Sequence, residues 1–287
     1  MSYKVDNAVI LAAGFASRFV PLSYEKPKAL IEVKGEVLIE RQIRQLFEAG
    51  INDVYIVVGH KKDDFKYLQD KFGVKLIINP DYKTVNNVSS IYAARNIIRN
   101  TYICSSDNYF SINPFSSEVE ESCYSVIYSE GPTDEWCVES DENDYITGVK
   151  VGGCNEWYML GHVFWDERFS KTFISLLSNE YGNADVNSML WESFYLKHID
   201  KLPMKVQKYP EGCIFEFDNL EELRKFDGKY LLDSGSAIMK ALTKLLNCAE
   251  NELHSFSMID SKSFVFKYID TKFTCYLDGE NSIQSIK

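Results

Sequence analysis

The chain has 287 residues, 45% of them apolar and 14% aromatic, enough to bury one large core or two smaller ones. Its formal net charge is −11 and no basic cluster stands out, which argues against a nucleic-acid partner. No apolar run approaches the roughly 18 residues that cross a bilayer, so no membrane association is expected.

In chain order, residues 7–13 read as a buried strand that runs into Gly14. GEVLIERQIRQLFEAG (35–50) carries apolar residues at helical spacing and stops at a glycine. A strand follows over 51–59, a helix over 61–73, a strand over 74–80, a helix over 87–100 and a strand over 101–106. Strands alternating with helices at this pitch predict βαβ units in a doubly wound, Rossmann-like α/β sheet, mixed but mostly parallel. CYSVIYSE, EWCVESD, YITGVKVGG and EWYMLGHVFWD alternate more and predict a mixed or antiparallel extension of that sheet. Residues 167–182 and 186–199 read as helices. CIFEFDNLEELRKFD (213–227) reads as strand, turn and helix, with Asn219 near the N-cap. The composition changes near 228, which sets expected domains at 1–228 and 229–287. The second is a small α+β extension, a helix after DSGS and a β-hairpin about Asp270-Thr271.

The seven cysteines, at 104, 123, 137, 154, 213, 248 and 275, have no C-x-x-C spacing, and the four histidines are scattered. The pattern predicts reduced thiols of a cytoplasmic protein and no zinc site. The N-terminus is not read as a secretion signal, because its apolar stretch leads into the loop at Gly14.

Three constellations carry chemistry. The first is the loop Gly14, Ala16, Ser17, Arg18, followed ten residues on by Pro27-Lys28. A strand that ends in a small-residue turn exposes backbone N–H groups where anions sit in open α/β sheets. Arg18 and Lys28 add two positive charges that can hold a triphosphate. The second is acidic. Asp107 ends the strand TYICSS, and Glu216 and Asp218 alternate in IFEFDNL with Phe215 and Phe217. Carboxylates at strand ends facing one crevice suit Mg²⁺, so Asp107 and Asp218 are expected at the metal with Glu216 in support. The third is Trp136 in PTDEWC. A tryptophan beside Asp134 and Glu135 suits a quaternary ammonium through cation–π and Coulomb attraction.

These motifs resemble known ones. LAAGFASRF followed by PK (Leu11, Ala12, Ala13, Gly14 onward) is similar to the signature of sugar-phosphate nucleotidyltransferases. Residues 6–228 resemble the lic-type bacterial CTP:phosphocholine cytidylyltransferases, through LAAGFASRFVPL, EKPKAL, VLIERQI, NPDY with NNVSSIY, SSDNY, TDEW, LWES and FEFDNLEELRKF. The resemblance implies the nucleotidyltransferase fold, and attack of phosphocholine on the α-phosphorus of CTP to give CDP-choline and pyrophosphate, with Mg²⁺ as cofactor. It places Arg18 and Lys28 on phosphates, Asp107 and Asp218 on the metal, Asn87 and Ser90 near the nucleotide, and Trp136 and Trp191 by the choline head. Leu190 departs from the tyrosine usual before the residue matching Trp191, which leaves room for a smaller amine such as aminoethylphosphonate as the substrate. A sugar-1-phosphate transferase and a non-catalytic nucleotide- or choline-binding regulator are the rival functions. More weakly, 229–287 resembles the opening helix and hairpin of a choline kinase that lacks its catalytic loop.

Overall fold

Strand β1 (Asn7–Ala12) is buried along nearly its whole length, as its apolar run NAVILA requires of a strand flanked on both sides. The computed structural model describes residues 2–287. These form two compact units. One comprises residues up to Gly14 together with Ile39–Glu216, and the other Phe15–Leu38 together with Phe217–Lys287. The expected boundary near 228 divides the chain by sequence. The folded chain divides after Gly14, after Leu38 and after Glu216.

In the first unit, β1 is followed by helix α1 (Leu38–Glu48), strand β2 (Val54–Val58), helix α2 (Tyr67–Phe72), strand β3 (Lys75–Ile78), helix α3 (Val88–Ala94) and strand β4 (Thr101–Ser105). Next come strand β5 (Asn108–Phe110), strands β6 (Cys123–Tyr128), β7 (Pro132–Ser140), β8 (Ile146–Cys154) and β9 (Trp157–Trp165), and helices α4 (Glu167–Glu180) and α5 (Trp191–Lys197). The unit ends with strands β10 (Lys205–Tyr209) and β11 (Ile214–Glu216). The main sheet has nine strands in the order β8-β7-β9-β4-β1-β2-β3, with β6 on β9 and β10 on β6. The β4-β1-β2-β3 block is parallel, and β9 joins it antiparallel. The predicted mixed Rossmann-like sheet and its antiparallel extension are therefore present.

The chain winds from β1 outward through β2 to β3 and then returns to the other side of β1 for β4. That reversal puts a crevice between the carboxyl ends of β1 and β4, the usual ligand position in such sheets. Helix α1 fixes its floor. Ile39, Ile43 and Leu46 bury one stripe. The Gln42 amide donates to the carbonyls of Ser105 and Asn108, both at 2.9 Å, and the Gln45 amide donates to that of Phe110 at 3.0 Å. The turn that carries Asp107 is thus hydrogen-bonded from below.

Several helices are shorter than their apolar spacing predicts. The first begins at Leu38 because Lys34 and Gly35, at φ 51° and 85°, turn a two-residue strand pair before it. The helix expected over 87–100 ends at Ala94, and the one over 186–199 breaks into Ala184–Asn187 and Trp191–Lys197 around an extended Leu190.

The second unit is built from α6 (Leu220–Phe226), α7 (Ala237–Leu246) and the antiparallel strands β12 (Leu253–Asp260), β13 (Ser263–Tyr268), β14 (Thr271–Leu277) and β15 (Ile283–Ile286), paired in that order. The expected hairpin is β13–β14, turning at Ile269-Asp270, and it is the middle of a four-stranded sheet. The Asn219 side chain caps α6 by accepting from Glu222 N–H at 3.0 Å. Phe264 and Phe266 are fully buried. The Arg224 guanidinium, also buried, donates to the carbonyls of Tyr230, Leu253 and Glu250 at 3.2, 2.7 and 2.6 Å, which satisfies a charge that would otherwise be costly inside.

Candidate active site

In the first unit, β1 delivers Leu11, Ala12 and Ala13 to the crevice, and Gly14 follows on the surface. Two backbone bonds pin this end. Ser106 N–H donates to the Leu11 carbonyl at 3.3 Å, and His60 N–H donates to that of Ala13 at 3.0 Å. Gly59, just before His60, is a site residue that lies outside every sequence motif. A Cβ on it would lie 2.8 Å from the Ala13 carbonyl oxygen and 2.6 Å from the Tyr82 ring.

Asp107 is half-buried at the end of β4. Strand β11 pairs antiparallel with β5 and sets Glu216, exposed, directly opposite Asn108. Around these two acids the sheet gathers groups that sequence spacing does not reveal. Tyr124 on β6 is buried, and burial together with the carboxylates of Glu192, Glu216 and Asp107 holds its hydroxyl far above the usual phenol range. Burial, Glu135 and Glu216 act likewise on Tyr158 of β9. Glu192, in the first turn of α5, is raised to about 7, chiefly by burial and also by the charge of Asp107, with hydrogen bonds from Asn87 and Tyr124 opposing. Tyr124, Tyr158 and Glu192 thus lie within electrostatic reach of carboxylates among Asp107, Glu135 and Glu216.

Trp136 lies within β7, half-buried against the core, with Asp134 and Glu135 exposed on the same strand. The pairing of β7 with β8 slips between Thr133 and Trp136, a bulge of the kind that re-aims side chains beside active sites. Trp191, expected at the substrate, is 3% exposed. Its ring stacks on Tyr124 at 5.8 Å and meets Trp165 edge-on at 5.3 Å, so it is a core ring packed behind Tyr124. Asn87 and Ser90 are engaged in the scaffold. The Asn87 carboxamide oxygen accepts from Trp191 N–H at 2.7 Å, and the buried Ser90 hydroxyl accepts from the Asn79 amide at 3.2 Å.

In the second unit, Ser17–Phe19 and Lys28–Leu30 are single 3₁₀ turns. Ala16 enters the first at φ 50°, ψ 53°, a left-handed conformation that glycine takes freely and that alanine holds at roughly 1 kcal/mol. Both cations of the motif reach one carboxylate. Arg18 Nη2 donates to Asp218 Oδ1 at 2.8 Å, and Lys28 Nζ lies 3.9 Å from the same oxygen. Lys28 also sits over the Phe19 ring at 5.6 Å. Asp218 stands beyond the end of β11, and its own N–H donates to Glu222 at 2.6 Å. Phe217 turns inward against Phe226 at 5.1 Å.

Comparison with known proteins agrees with this architecture. Residues 8–110 match the MobA-like NTP transferase domain, so the crevice at the end of β1 belongs to a nucleotidyltransferase, an enzyme class. The chain is 32% identical over 221 residues to choline-phosphate cytidylyltransferase of Streptococcus pneumoniae, spanning 77% of this chain and 96% of that one. It is 31% identical to 2-aminoethylphosphonate cytidylyltransferase of Lancefieldella rimae, over 78% of this chain and 93% of that one. A solved structure of CTP:phosphocholine cytidylyltransferase from S. pneumoniae superimposes with a TM-score of 0.74 at 33% identity, covering 78% of this chain and 97% of that one. The chain belongs to the choline-phosphate cytidylyltransferase family.

Proposed function

We propose that the chain transfers the cytidylyl group of CTP to phosphocholine, releasing pyrophosphate. The observation that carries this reading is the convergence of Arg18 and Lys28, both from the signature segment, on the single carboxylate Asp218. Two cations held at one acid are an anion site in waiting, because incoming phosphate oxygens accept the same bonds with more charge. Arg18 and Lys28 hold the triphosphate, while the backbone of Leu11 to Gly14 and of Ala16 and Ser17 lies along the nucleotide, with Asn87 and Ser90 supporting it. A phosphate oxygen of phosphocholine attacks the α-phosphorus, the bond from that phosphorus to the bridging oxygen breaks, and pyrophosphate leaves. The attacking phosphate is already anionic at neutral pH, so no general base is needed. The residues therefore act by alignment and by neutralising charge on the leaving group.

Nucleotidyltransferases of this kind generally use Mg²⁺, and carboxylates are the ligand type it takes, although among the described residues no three His, Cys, Asp or Glu side chains form a ready cluster for it. Asp107 and Asp218, with Glu216 in support, offer hard carboxylate oxygens and no soft ligand. When bound there, the ion supplies positive charge to the phosphoryl oxygens.

Trp136, with Asp134 and Glu135, takes the ammonium head. Trp191 acts from behind, by packing Tyr124. The second reading, an aminoethylphosphonate substrate, is favoured by the likeness to the L. rimae enzyme, and Leu190 is the position at which the family resemblance leaves room for it. Pyrophosphate release should be measured with CTP and phosphocholine, phosphoethanolamine, 2-aminoethylphosphonate or glucose-1-phosphate in turn. Highest kcat/KM for phosphocholine supports the first reading, for aminoethylphosphonate the second, and turnover of glucose-1-phosphate alone refutes both.

A further inference from the structure

Between Arg18 and Lys28 the chain makes three single turns, Ser17–Phe19, Leu22–Glu25 and Lys28–Leu30, interrupted by Pro21 and Pro27. Such short pieces close few hydrogen bonds of their own, and each proline removes a donor. The order of this segment must come from outside it, and the second unit shows where. The buried Tyr24 hydroxyl lies 2.7 Å from the carbonyl of Asp260 and 2.8 Å from that of Ser263, at the turn between β12 and β13. The Tyr24 ring packs on Phe264 at 5.8 Å. The Tyr24 carbonyl accepts from the Asn281 amide at 3.0 Å, in the turn between β14 and β15. Glu25 accepts from Ile238 N–H at 2.8 Å, in the first turn of the ten-residue helix α7, where the helix dipole favours an anion.

We infer that Tyr24 and Glu25 are positioning residues that tie the phosphate-binding segment to the C-terminal extension, so that this extension sets the placement of Arg18 and Lys28. The inference rests on the reading of those two cations as triphosphate ligands. Three elements of the extension, two strand turns and one helix start, grip two adjacent residues midway between the cations. Nearly a quarter of this chain lies outside its match to the pneumococcal relative, which that match almost exhausts. The extension then acts on the reaction through the placement of Arg18 and Lys28.

The test is steady-state kinetics on the full chain, for CTP and for phosphocholine separately, below the melting midpoint of each variant. Tyr24→Phe removes only the hydroxyl, Glu25→Ala removes the acceptor, and Glu25→Gln keeps an acceptor oxygen in place. Loss of one such hydrogen bond should raise the KM for CTP about fivefold in Tyr24→Phe and Glu25→Ala, with that for phosphocholine within about twofold of the parent. Glu25→Gln should recover most of the loss. Tyr24→Phe combined with Arg18→Ala should be less impaired than the product of the single effects, because the tyrosine acts through the arginine. An unchanged KM for CTP in folded Tyr24→Phe and Glu25→Ala, equal shifts for both substrates, or multiplicative effects would overturn the inference. If Tyr24→Phe does not fold, the Glu25 pair decides. If Arg18→Ala and Lys28→Ala leave CTP kinetics untouched, the phosphate reading itself fails and the inference with it. If those two are impaired and the Tyr24 and Glu25 variants are not, only the anchoring is refuted.

Discussion

Lys28 and Arg18 share a carboxylate but not an environment. The Lys28 side chain is 11% exposed and lies against a phenyl ring, whereas that of Arg18 is 68% exposed. A charge held in place at low exposure acts with little reorganisation, so Lys28 should matter most when charge moves in the transition state. Lys28→Ala is expected to lower kcat by about 100-fold, and Arg18→Ala to act mainly on the KM for CTP, which initial rates at varied CTP will show. Trp136 belongs to the other substrate. A cation–π contact with a desolvated ammonium is worth roughly 2 kcal/mol, so Trp136→Ala should raise the phosphocholine KM by about 30-fold and leave that for CTP nearly unchanged. Equal affinity of parent and variant in a phosphocholine titration would sink the ammonium reading. These residues are legible because they lie in short local motifs. Tyr124, Tyr158 and Glu192 are not. Each looks like an ordinary core or surface residue in sequence, and only the pairing of β6 with β9 and the seating of α5 bring them beside Asp107 and Glu216.

At the scale of elements, strand ends and helix starts do the positioning. Gly59 terminates β2 and lets the backbone of β1 come close. Gly59→Ala would push a methyl group against the Ala13 carbonyl and the Tyr82 ring. We expect a melting temperature several degrees lower, from about 1–3 kcal/mol of overpacking, and a raised KM for CTP, measured by thermal unfolding and initial rates. The start of α5 holds Glu192, whose carboxyl is raised from its ordinary value to about 7. The folded chain therefore binds a proton that the unfolded chain has released between about pH 4.5 and 7. Stability from this group is greatest below that window and falls as pH rises through it. Glu192→Gln, unfolded thermally in EDTA, should melt above the parent at pH 8 and show a smaller fall between pH 5.5 and 8. A parallel pH dependence in both proteins would show that Glu192 is not the source. The apolar spacing marks α5 and its neighbour as one helix, because periodicity sees the stripe but not the break. The break is an interaction across the fold: Asn87, a hundred residues away, takes the Trp191 N–H and fixes a new helix start there.

For the whole molecule, the two compact units exchange the chain three times, since 15–38 leaves the first unit to fold with 217–287. Composition places a boundary near 228 because strand and helix signals change there. It cannot show that Tyr24 and Ser263, or Lys34 and Asp227, are partners, because nothing local records a contact across some two hundred residues. The central sheet is easier to read, since its parallel strands are continuous apolar runs. Cooperativity should follow the units rather than the sequence. Phe264→Ala removes a fully buried ring from the second unit at about 3–5 kcal/mol. Amide hydrogen exchange should then speed up in 253–286 and in 15–38 together, while β1, β2 and β4 keep their protection. Acceleration confined to 253–286 would show that the two segments do not open as one. The same arrangement decides what can be inherited or transplanted. A graft of the first hundred or so residues onto another scaffold carries the loop and both its cations but leaves behind Asp218 and the sheet that anchors Tyr24. Recombination that separates 15–38 from 217–287 leaves the signature without Asp218 and without the hydrogen bonds that reach Tyr24 and Glu25.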